Sequence, residues 1–147
     1  MDLEGYIVIR TFRENDLIDI MQIWLDTNRK AHNFISKEYW IDNYAAVKDL
    51  LPQAEIYVYE DANQIEGFIG LTDNDIEGIF VREAAQLRGI GKQLLNYVKK
   101  IKSSMRLSVY QKNTRAVIFY QREQFVIQSE NIDENTNEKE FIMVWSK

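Results

Sequence analysis

The chain has 147 residues, a formal net charge of −5 and no cysteine. This length suits one domain with its own hydrophobic core, and we expect a single domain over residues 1–147. The lack of cysteine excludes disulfides and thiolate metal sites, and the acidic balance argues against nucleic acid as the partner and mildly favours a cationic amine. Residues 1–4 lack the features of a signal peptide and no apolar run has the length of a membrane span, which predicts a cytoplasmic protein without a membrane partner.

The first third of the chain predicts one strand and two helices. The β-rich run 6–10 is the strand, and Asp16 or Asn15 can cap the helix that follows. Apolar residues at helical spacing mark the buried face of this first helix: Leu17, Ile20, Met21, Trp24 and Leu25. A second helix is predicted over 36–51 and ends at Pro52. Its buried face is predicted to contain Trp40, Tyr44, Val47 and Leu51.

Three consecutive strands come next, over 55–60, 65–71 and 76–81. The turns at 61–64 and 73–74 are short, so the three strands should form an antiparallel meander.

The remainder predicts two helices, a strand between them and a closing hairpin. The strand is 105–110, and Asn113 can cap the second helix. The closing strands are 125–128 and 140–145, joined by a polar, solvated connection over 130–139. The helix before the strand 105–110 is predicted to bury Ile90, Leu94, Val98 and Ile101. The predicted element order is β-α-α-β-β-β-α-β-α-β-β.

The most informative motif is the run Gln86-Leu87-Arg88-Gly89-Ile90-Gly91-Lys92 between a strand and a helix. Free backbone N–H groups and the helix dipole make such a loop a phosphate-binding site. Two common phosphate motifs do not fit. Gln93 stands where a P-loop needs Ser or Thr, and Leu94 replaces the third glycine of the dinucleotide fingerprint.

The remaining pattern, Q-x-x-G-x-G before a helix, resembles the pyrophosphate-binding loop of the GCN5-related N-acetyltransferase (GNAT) family, which binds acetyl-coenzyme A. The element order is also that of the family over nearly the whole chain. The resemblance implies an α+β, or mixed α/β, acyl-CoA N-acyltransferase fold with a central, twisted, mostly antiparallel sheet. It also implies that backbone groups of residues 87–92 bind the pyrophosphate, with Gly89 and Gly91 allowing close approach and Arg88 and Lys92 adding charge.

The resemblance further implies that the strands 76–81 and 105–110 separate, so that the pantetheine arm of acetyl-CoA lies between them. A bulge commonly directs one backbone N–H at the thioester carbonyl. Here the donor would be Ile79, Phe80 or Val81, and Gly78 is a glycine inside the strand, where bulges are common.

A second motif of the family is similar to residues 113–125. Asn113 would contact pantetheine, and the Tyr120 hydroxyl would lie near the thioester sulfur and assist the departing thiolate. The family usually has glycine where this chain has Gln124. Because a left-handed residue other than glycine costs about 1 kcal/mol, the exit of this helix is expected to differ slightly.

The general base and the acceptor contacts are less defined. Glu77 precedes Ile79 by two residues and should share its strand face, which makes it the candidate base, although a solvated carboxylate is an equal alternative. The stretch that contains His32, Phe34 and Trp40 resembles an acceptor-side stretch in one branch of bacterial family members. His32 could orient the acceptor or relay a proton, or simply bond to backbone carbonyls at a helix end; metal partners at ligand spacing are lacking.

The sequence therefore predicts an acetyl-CoA-dependent N-acetyltransferase that acts by direct transfer in a ternary complex, without a metal. The acceptor is a primary amine on a small molecule, protein or peptide, and a homodimer is left open. The alternative is an acyl-CoA-binding or protein-interaction module without turnover.

Overall fold

A computed structural model describes residues 6–147; the stretch 1–4, on which the signal-peptide expectation rests, lies outside the described residues. The strands are β1 (Ile7–Thr11), β2 (Glu55–Asp61), β3 (Gln64–Thr72), β4 (Asp75–Val81), β5 (Ser104–Tyr110), β6 (Val126–Asp133) and β7 (Glu138–Ser146). The helices are α1 (Leu17–Ala31), α2 (Lys37–Leu50), α3 (Ile90–Lys99) and α4 (Thr114–Arg122). The predicted element order is confirmed.

The seven strands form one sheet in the order β1-β2-β3-β4-β5-β7-β6. All neighbours are antiparallel except β4 and β5, which are parallel. The mixed α/β fold class and the meander from β2 to β4 are therefore confirmed. The parallel pair joins the meander to the closing hairpin and lies at the middle of the sheet.

Alternating side chains of β2 and β3 enter two hydrophobic cores, one on each face of the sheet. On β3, Phe68 packs in the core covered by α1 and α2, while Ile69 packs in the core covered by α3 and α4. The residues predicted to face the core from the helices do so except Ile101, which lies beyond α3 and is 52% exposed. Among residues 6–147, no helix is both long and apolar enough to cross a bilayer.

The start of α1 differs from the prediction. Asp16 occupies the N-cap position, but its side chain makes no capping bond to the helix. The carboxylate instead accepts bonds from Arg10 at 2.8 and 3.0 Å and from the Arg13 backbone N–H at 2.7 Å. Asp16 therefore joins β1 to the start of α1 by a buried ion pair.

The stretch 130–139 is solvated as predicted, but it is not a loop for most of its length. β6 continues to Asp133 and β7 begins at Glu138, which leaves only residues 134–137 as the turn. β6 is one of the two edge strands of the sheet and is exposed along nearly all of its length. An exposed edge strand has no apolar alternation, so its sequence pattern resembles that of a polar loop.

The exit of α4 keeps the left-handed geometry that the family achieves with glycine, which corrects the expectation of an altered exit. Gln124 has φ of 76°. The Phe125 N–H bonds to the Tyr120 carbonyl at 2.9 Å, and the Gln124 N–H bonds to the Gln121 carbonyl at 3.1 Å. These two bonds form a Schellman motif, and the Phe125 ring packs edge-on against Tyr120 with centroids 5.6 Å apart. The motif therefore fixes the position of Tyr120.

We expect Gln124→Gly to stabilise the fold by about 0.5–1 kcal/mol, because relief of left-handed strain exceeds the added chain entropy of glycine. Urea unfolding monitored by circular dichroism measures this change. The matched control is Gln93→Gly, which puts the same substitution at an exposed position inside α3. It should destabilise by about 1 kcal/mol. Equal losses in both variants would contradict the strain assigned to Gln124.

Candidate active site

A gap between β4 and β5 forms the centre of the candidate site. The two strands pair only at Asp75 with Arg106 and Ile76 with Leu107, so the rest of the facing edge of β4 has no partner strand. The predicted separation of the two strands is thereby confirmed. An unpaired strand edge presents backbone donors and acceptors to an extended ligand.

Backbone alternation determines which β4 groups face the gap. The Arg82 N–H donates to the Glu66 carbonyl at 2.8 Å and so points toward β3. Because successive residues of a strand direct their backbone groups to opposite edges, Phe80 also points toward β3, whereas Ile79 and Val81 point into the gap. Of the three predicted donors, Phe80 is therefore excluded by its orientation.

The glycine-rich loop lies directly beyond the end of β4. Gln86 anchors it, because its Nε2 donates to the Val81 carbonyl at 2.9 Å. Leu87 and Gly89 have positive φ of 65° and 77°. The first helical bond of α3 is from the Gln93 N–H to the Gly89 carbonyl at 3.1 Å. Within residues 6–147, none of the backbone N–H groups of residues 87–92 has an acceptor. A row of free donors at a helix N-terminus is an arrangement that can bind a phosphate anion.

The two glycines of the loop serve different purposes. A Cβ at Gly89 would contact nothing within 4 Å, so this glycine is required for its positive φ. A Cβ at Gly91 would lie 3.5 Å from the Phe119 ring and 3.7 Å from Ile79. Gly91 therefore faces the side chains that flank the gap.

The basic side chains of the loop are paired with carboxylates. Arg88 is 3.2 Å from Asp61 and Lys92 is 4.0 Å from Glu123. Both cations are at least half exposed, so these pairs are weak. Either side chain can exchange its carboxylate for an anionic ligand at little cost.

The face predicted for Glu77 is wrong. The β3–β4 register shifts so that Gly70 pairs with Gly78 while Leu71 pairs with Ile76. Glu77 is thus the extra residue of a β-bulge, and strict side-chain alternation fails there. The Glu77 side chain faces the α1/α2 side of the sheet, where it lines a groove of about 510 Å³.

The apolar part of this groove includes Trp24, Leu50, Phe68 and Phe80. Ile79 packs in the opposite core, so Glu77 and Ile79 do not share a face. Glu77 is exposed and lies beside apolar side chains at the bulge.

Tyr120 lies in the core covered by α3 and α4, on the face of the sheet opposite the Glu77 groove. Its side chain is 8% exposed and packs against Phe119 and Phe125. Burial raises the pKa of the Tyr120 phenol well above its ordinary value of 10. Burial is the cause of this shift, no described side chain bonds to the hydroxyl, and the phenol keeps its proton throughout the neutral pH range. It is therefore available as a donor to a ligand.

Asn113 and His32 are brought into contact across the sheet. The Asn113 Oδ1 caps α4 by accepting from the Ala116 N–H at 3.3 Å, and its Nδ2 lies 3.2 Å from His32 Nε2. Sequence analysis placed one of these residues at the co-substrate and the other at the acceptor. In the fold they are direct neighbours.

His32 belongs to a group of rings that we call the aromatic cluster: His32, Phe34, Tyr39, Trp40 and Tyr110. His32 stacks on Trp40 at 5.3 Å and meets Tyr110 edge-on at 5.0 Å. Tyr110 ends β5, and its hydroxyl donates to Asp133 at 2.6 Å. Burial, with this carboxylate next, raises the pKa of the Tyr110 phenol.

Sequence analysis did not single out Tyr110 as a member of this site. The position of Tyr110 offered a signal, because it ends a strand that borders the predicted gap. Asp133 lies in the acidic stretch 130–139, where a charge run can attract a cation but is more often only solvated.

Comparison with known proteins agrees with this geometry. Residues 52–127 match the family model described as an acetyltransferase (GNAT) domain. The chain is 34% identical over 140 residues to the peptidyl-lysine N-acetyltransferase YiaC of Escherichia coli strain K12, covering 94% of this chain and 96% of the relative.

Solved structures show the same fold. Apo YjaB from Escherichia coli superposes with a TM-score of 0.84 at 22% identity, covering 95% of this chain and 97% of that chain. The yncA protein of Salmonella typhimurium, solved with its cofactor acetyl-CoA, has a TM-score of 0.66 at 16% identity, covering 95% and 93%.

The chain belongs to the GNAT acetyltransferase family. It is an acetyl-CoA-dependent N-acetyltransferase, and acetyl-CoA is its co-substrate. The alternative of a binding module without turnover is not favoured by these relatives.

Proposed function

We propose that this enzyme acetylates lysine side chains of proteins by direct transfer from acetyl-CoA. The main support is that the row of free N–H groups lies at the end of an unpaired strand edge. This geometry occurs in a chain that is similar, over 94% of its own length, to the peptidyl-lysine N-acetyltransferase YiaC. The acceptor side is lined by aromatic rings and carboxylates. Such a lining suits a long aliphatic stem that ends in a cation.

Co-substrate binding follows from the free backbone groups. The N–H groups of residues 87–92 would hold the pyrophosphate, and Arg88 and Lys92 can turn toward it. Ile79 and Val81 would pair with the amides of the pantetheine arm as a neighbouring strand does. Asn113 would contact the same arm from the start of α4. The bound co-substrate supplies the activated acetyl thioester.

Two groups, one from β4 and one from α4, would assist the reaction. The Ile79 N–H would stabilise the negative charge that develops on the acetyl carbonyl oxygen, an effect usually of a few kcal/mol. Tyr120 would donate a hydrogen bond to the departing thiolate, because its buried phenol stays protonated. The chain has no cysteine to form a thioester of its own, which supports direct transfer.

Glu77 would accept the proton of the attacking ammonium, directly or through water. A lysine amine must lose a proton before it can attack, because its pKa lies about three units above neutral pH. The bulge directs Glu77 to the α1/α2 side, which is also the side of His32, Phe34 and Trp40. We place the acceptor lysine on this side. Asp133 would be a second carboxylate, which attracts basic residues that flank this lysine in the protein substrate.

We also propose that residues 1–147 form one acetyltransferase domain, since the sheet uses strands from β1 to β7 and the chain covers 96% of YiaC. A cytoplasmic location is proposed because acetyl-CoA is a metabolite of that compartment.

The test is an initial-rate assay with acetyl-CoA and a lysine-containing peptide, with product identified by mass spectrometry. We expect acetylation at the lysine Nε and intersecting double-reciprocal lines. The control peptide carries arginine in place of lysine. Glu77→Gln should lower the rate at neutral pH by roughly 100-fold, because the amide cannot accept the proton of the attacking ammonium. The matched control is Asp75→Asn, at an exposed position before the bulge on the same strand.

Parallel lines would contradict direct transfer, and activity on free polyamines without activity on the peptide would contradict a protein acceptor. An equal loss in the Glu77 and Asp75 variants would assign the Glu77 effect to surface charge and remove Glu77 from proton transfer.

A further inference from the structure

The contact between His32 and Asn113 joins two parts of the chain that are 81 positions apart. His32 directly follows α1, and Asn113 directly precedes α4. The two helices pack in different cores, on opposite faces of the sheet. One side-chain hydrogen bond therefore connects the acceptor side of the molecule to a residue of the co-substrate site.

The direction of this hydrogen bond follows from the cap of α4. Asn113 Oδ1 accepts from the Ala116 N–H, so the amide nitrogen Nδ2 faces His32. An amide nitrogen only donates, and His32 Nε2 must therefore accept. The ring proton then resides on Nδ1, the tautomer that free histidine disfavours. Nδ1 itself is buried and has no hydrogen-bond partner among the described residues.

The surroundings of His32 keep the ring neutral and oriented. Trp40 stacks on one face, Tyr110 and Phe34 meet it edge-on, and the neighbouring polar group is the Asn113 amide. Burial lowers the pKa of His32 to about 4, so the imidazole is uncharged near pH 7. A group this acidic in its protonated form is a poor general base at neutral pH.

We propose that His32 is a positioning residue: its neutral Nε2 holds the Asn113 amide in the orientation that contacts acetyl-CoA and so couples the acceptor side to co-substrate binding. The proposal rests on the proposed function in placing Asn113 at the pantetheine arm. It replaces the proton-relay role by a fixed hydrogen bond. Any change in the 32–36 connection when an acceptor binds is transmitted to the co-substrate through this bond.

The tautomer can be measured on the wild-type protein without any ligand. His32 is the only histidine of the chain, so its two ring nitrogens give the only imidazole signals in a long-range ¹⁵N–¹H correlation spectrum. We expect a protonated Nδ1 and an unprotonated Nε2 at pH 7. A protonated Nε2 would overturn the proposal, whatever the enzyme's activity.

The functional consequence is measured by titration calorimetry with acetyl-CoA. His32→Phe keeps the ring stack but cannot accept a hydrogen bond, and we expect it to weaken acetyl-CoA binding by about fivefold, as for the loss of one hydrogen bond. His32→Gln offers a carbonyl oxygen to Asn113 and should recover most of the affinity. Recovery by glutamine separates positioning from mere packing, because glutamine does not replace the aromatic ring.

The control is Asn113→Ser, which keeps a good N-cap but removes Nδ2. In this background His32→Phe should cause no further loss of affinity. Additive losses, or a glutamine variant as weak as the phenylalanine variant, would overturn the proposal. If wild-type protein does not bind acetyl-CoA at all, the proposed function fails, and the nitrogen spectrum alone then decides whether His32 holds Asn113.

Discussion

Tyr120→Phe is expected to lower kcat roughly tenfold or more while acetyl-CoA affinity changes by no more than about twofold. The substitution removes only the hydroxyl, and the ring contacts with Phe119 and Phe125 remain. Among the described residues, no side chain hydrogen-bonds to the phenol, so its removal leaves no partner unpaired. Because the lost hydrogen bond is one to the departing thiolate, the substitution should lower kcat and leave acetyl-CoA binding unchanged.

The matched control is Tyr59→Phe, which removes a hydroxyl from a tyrosine of the same core that is 2% exposed and lies on β2, two strands from the gap. Steady-state kinetics and calorimetry on both variants separate the roles. A normal kcat in Tyr120→Phe would remove the hydroxyl from the chemistry, and equal kcat losses in both variants would assign the effect to the core.

Gly89→Val is expected to weaken acetyl-CoA binding by about tenfold or more. The reason is conformational, because a Cβ at Gly89 would touch nothing, yet its φ of 77° is strongly unfavourable for a β-branched residue. To relieve this strain the loop must move, and the row of N–H groups over residues 87–92 then loses its common direction. Titration calorimetry with acetyl-CoA and with desulfo-coenzyme A measures the loss.

The control for this prediction is Gly89→Asn at the same position, because asparagine tolerates the left-handed region. The asparagine variant should bind within about threefold of the wild type, since its strain is small. Equal weakening by valine and asparagine would mean that side-chain bulk at the ligand, not backbone geometry, explains the requirement for glycine.

The sequence predicted most of the fold because most elements have a buried face. Apolar residues at helical spacing identified α1, and β-rich runs separated by short turns identified the β2–β4 meander. The glycine-rich loop could also be predicted from local sequence, because the positive φ of Gly89 and the helix that follows depend on a few adjacent residues. The sequence could not reveal β6 in full, because an exposed edge strand has no buried face to mark it.

By itself, the sequence determined the order of elements and the position of the glycine-rich loop before α3, because adjacent residues set turns, caps and periodicity. The tertiary structure alone decided which side chains meet. A bulge of one residue, set by the β3–β4 register, moved Glu77 to the face opposite Ile79. Packing across the sheet brought His32 to Asn113 and Tyr110 to Asp133. Contacts between distant residues depend on strand register and on how the layers pack, and no local pattern encodes either.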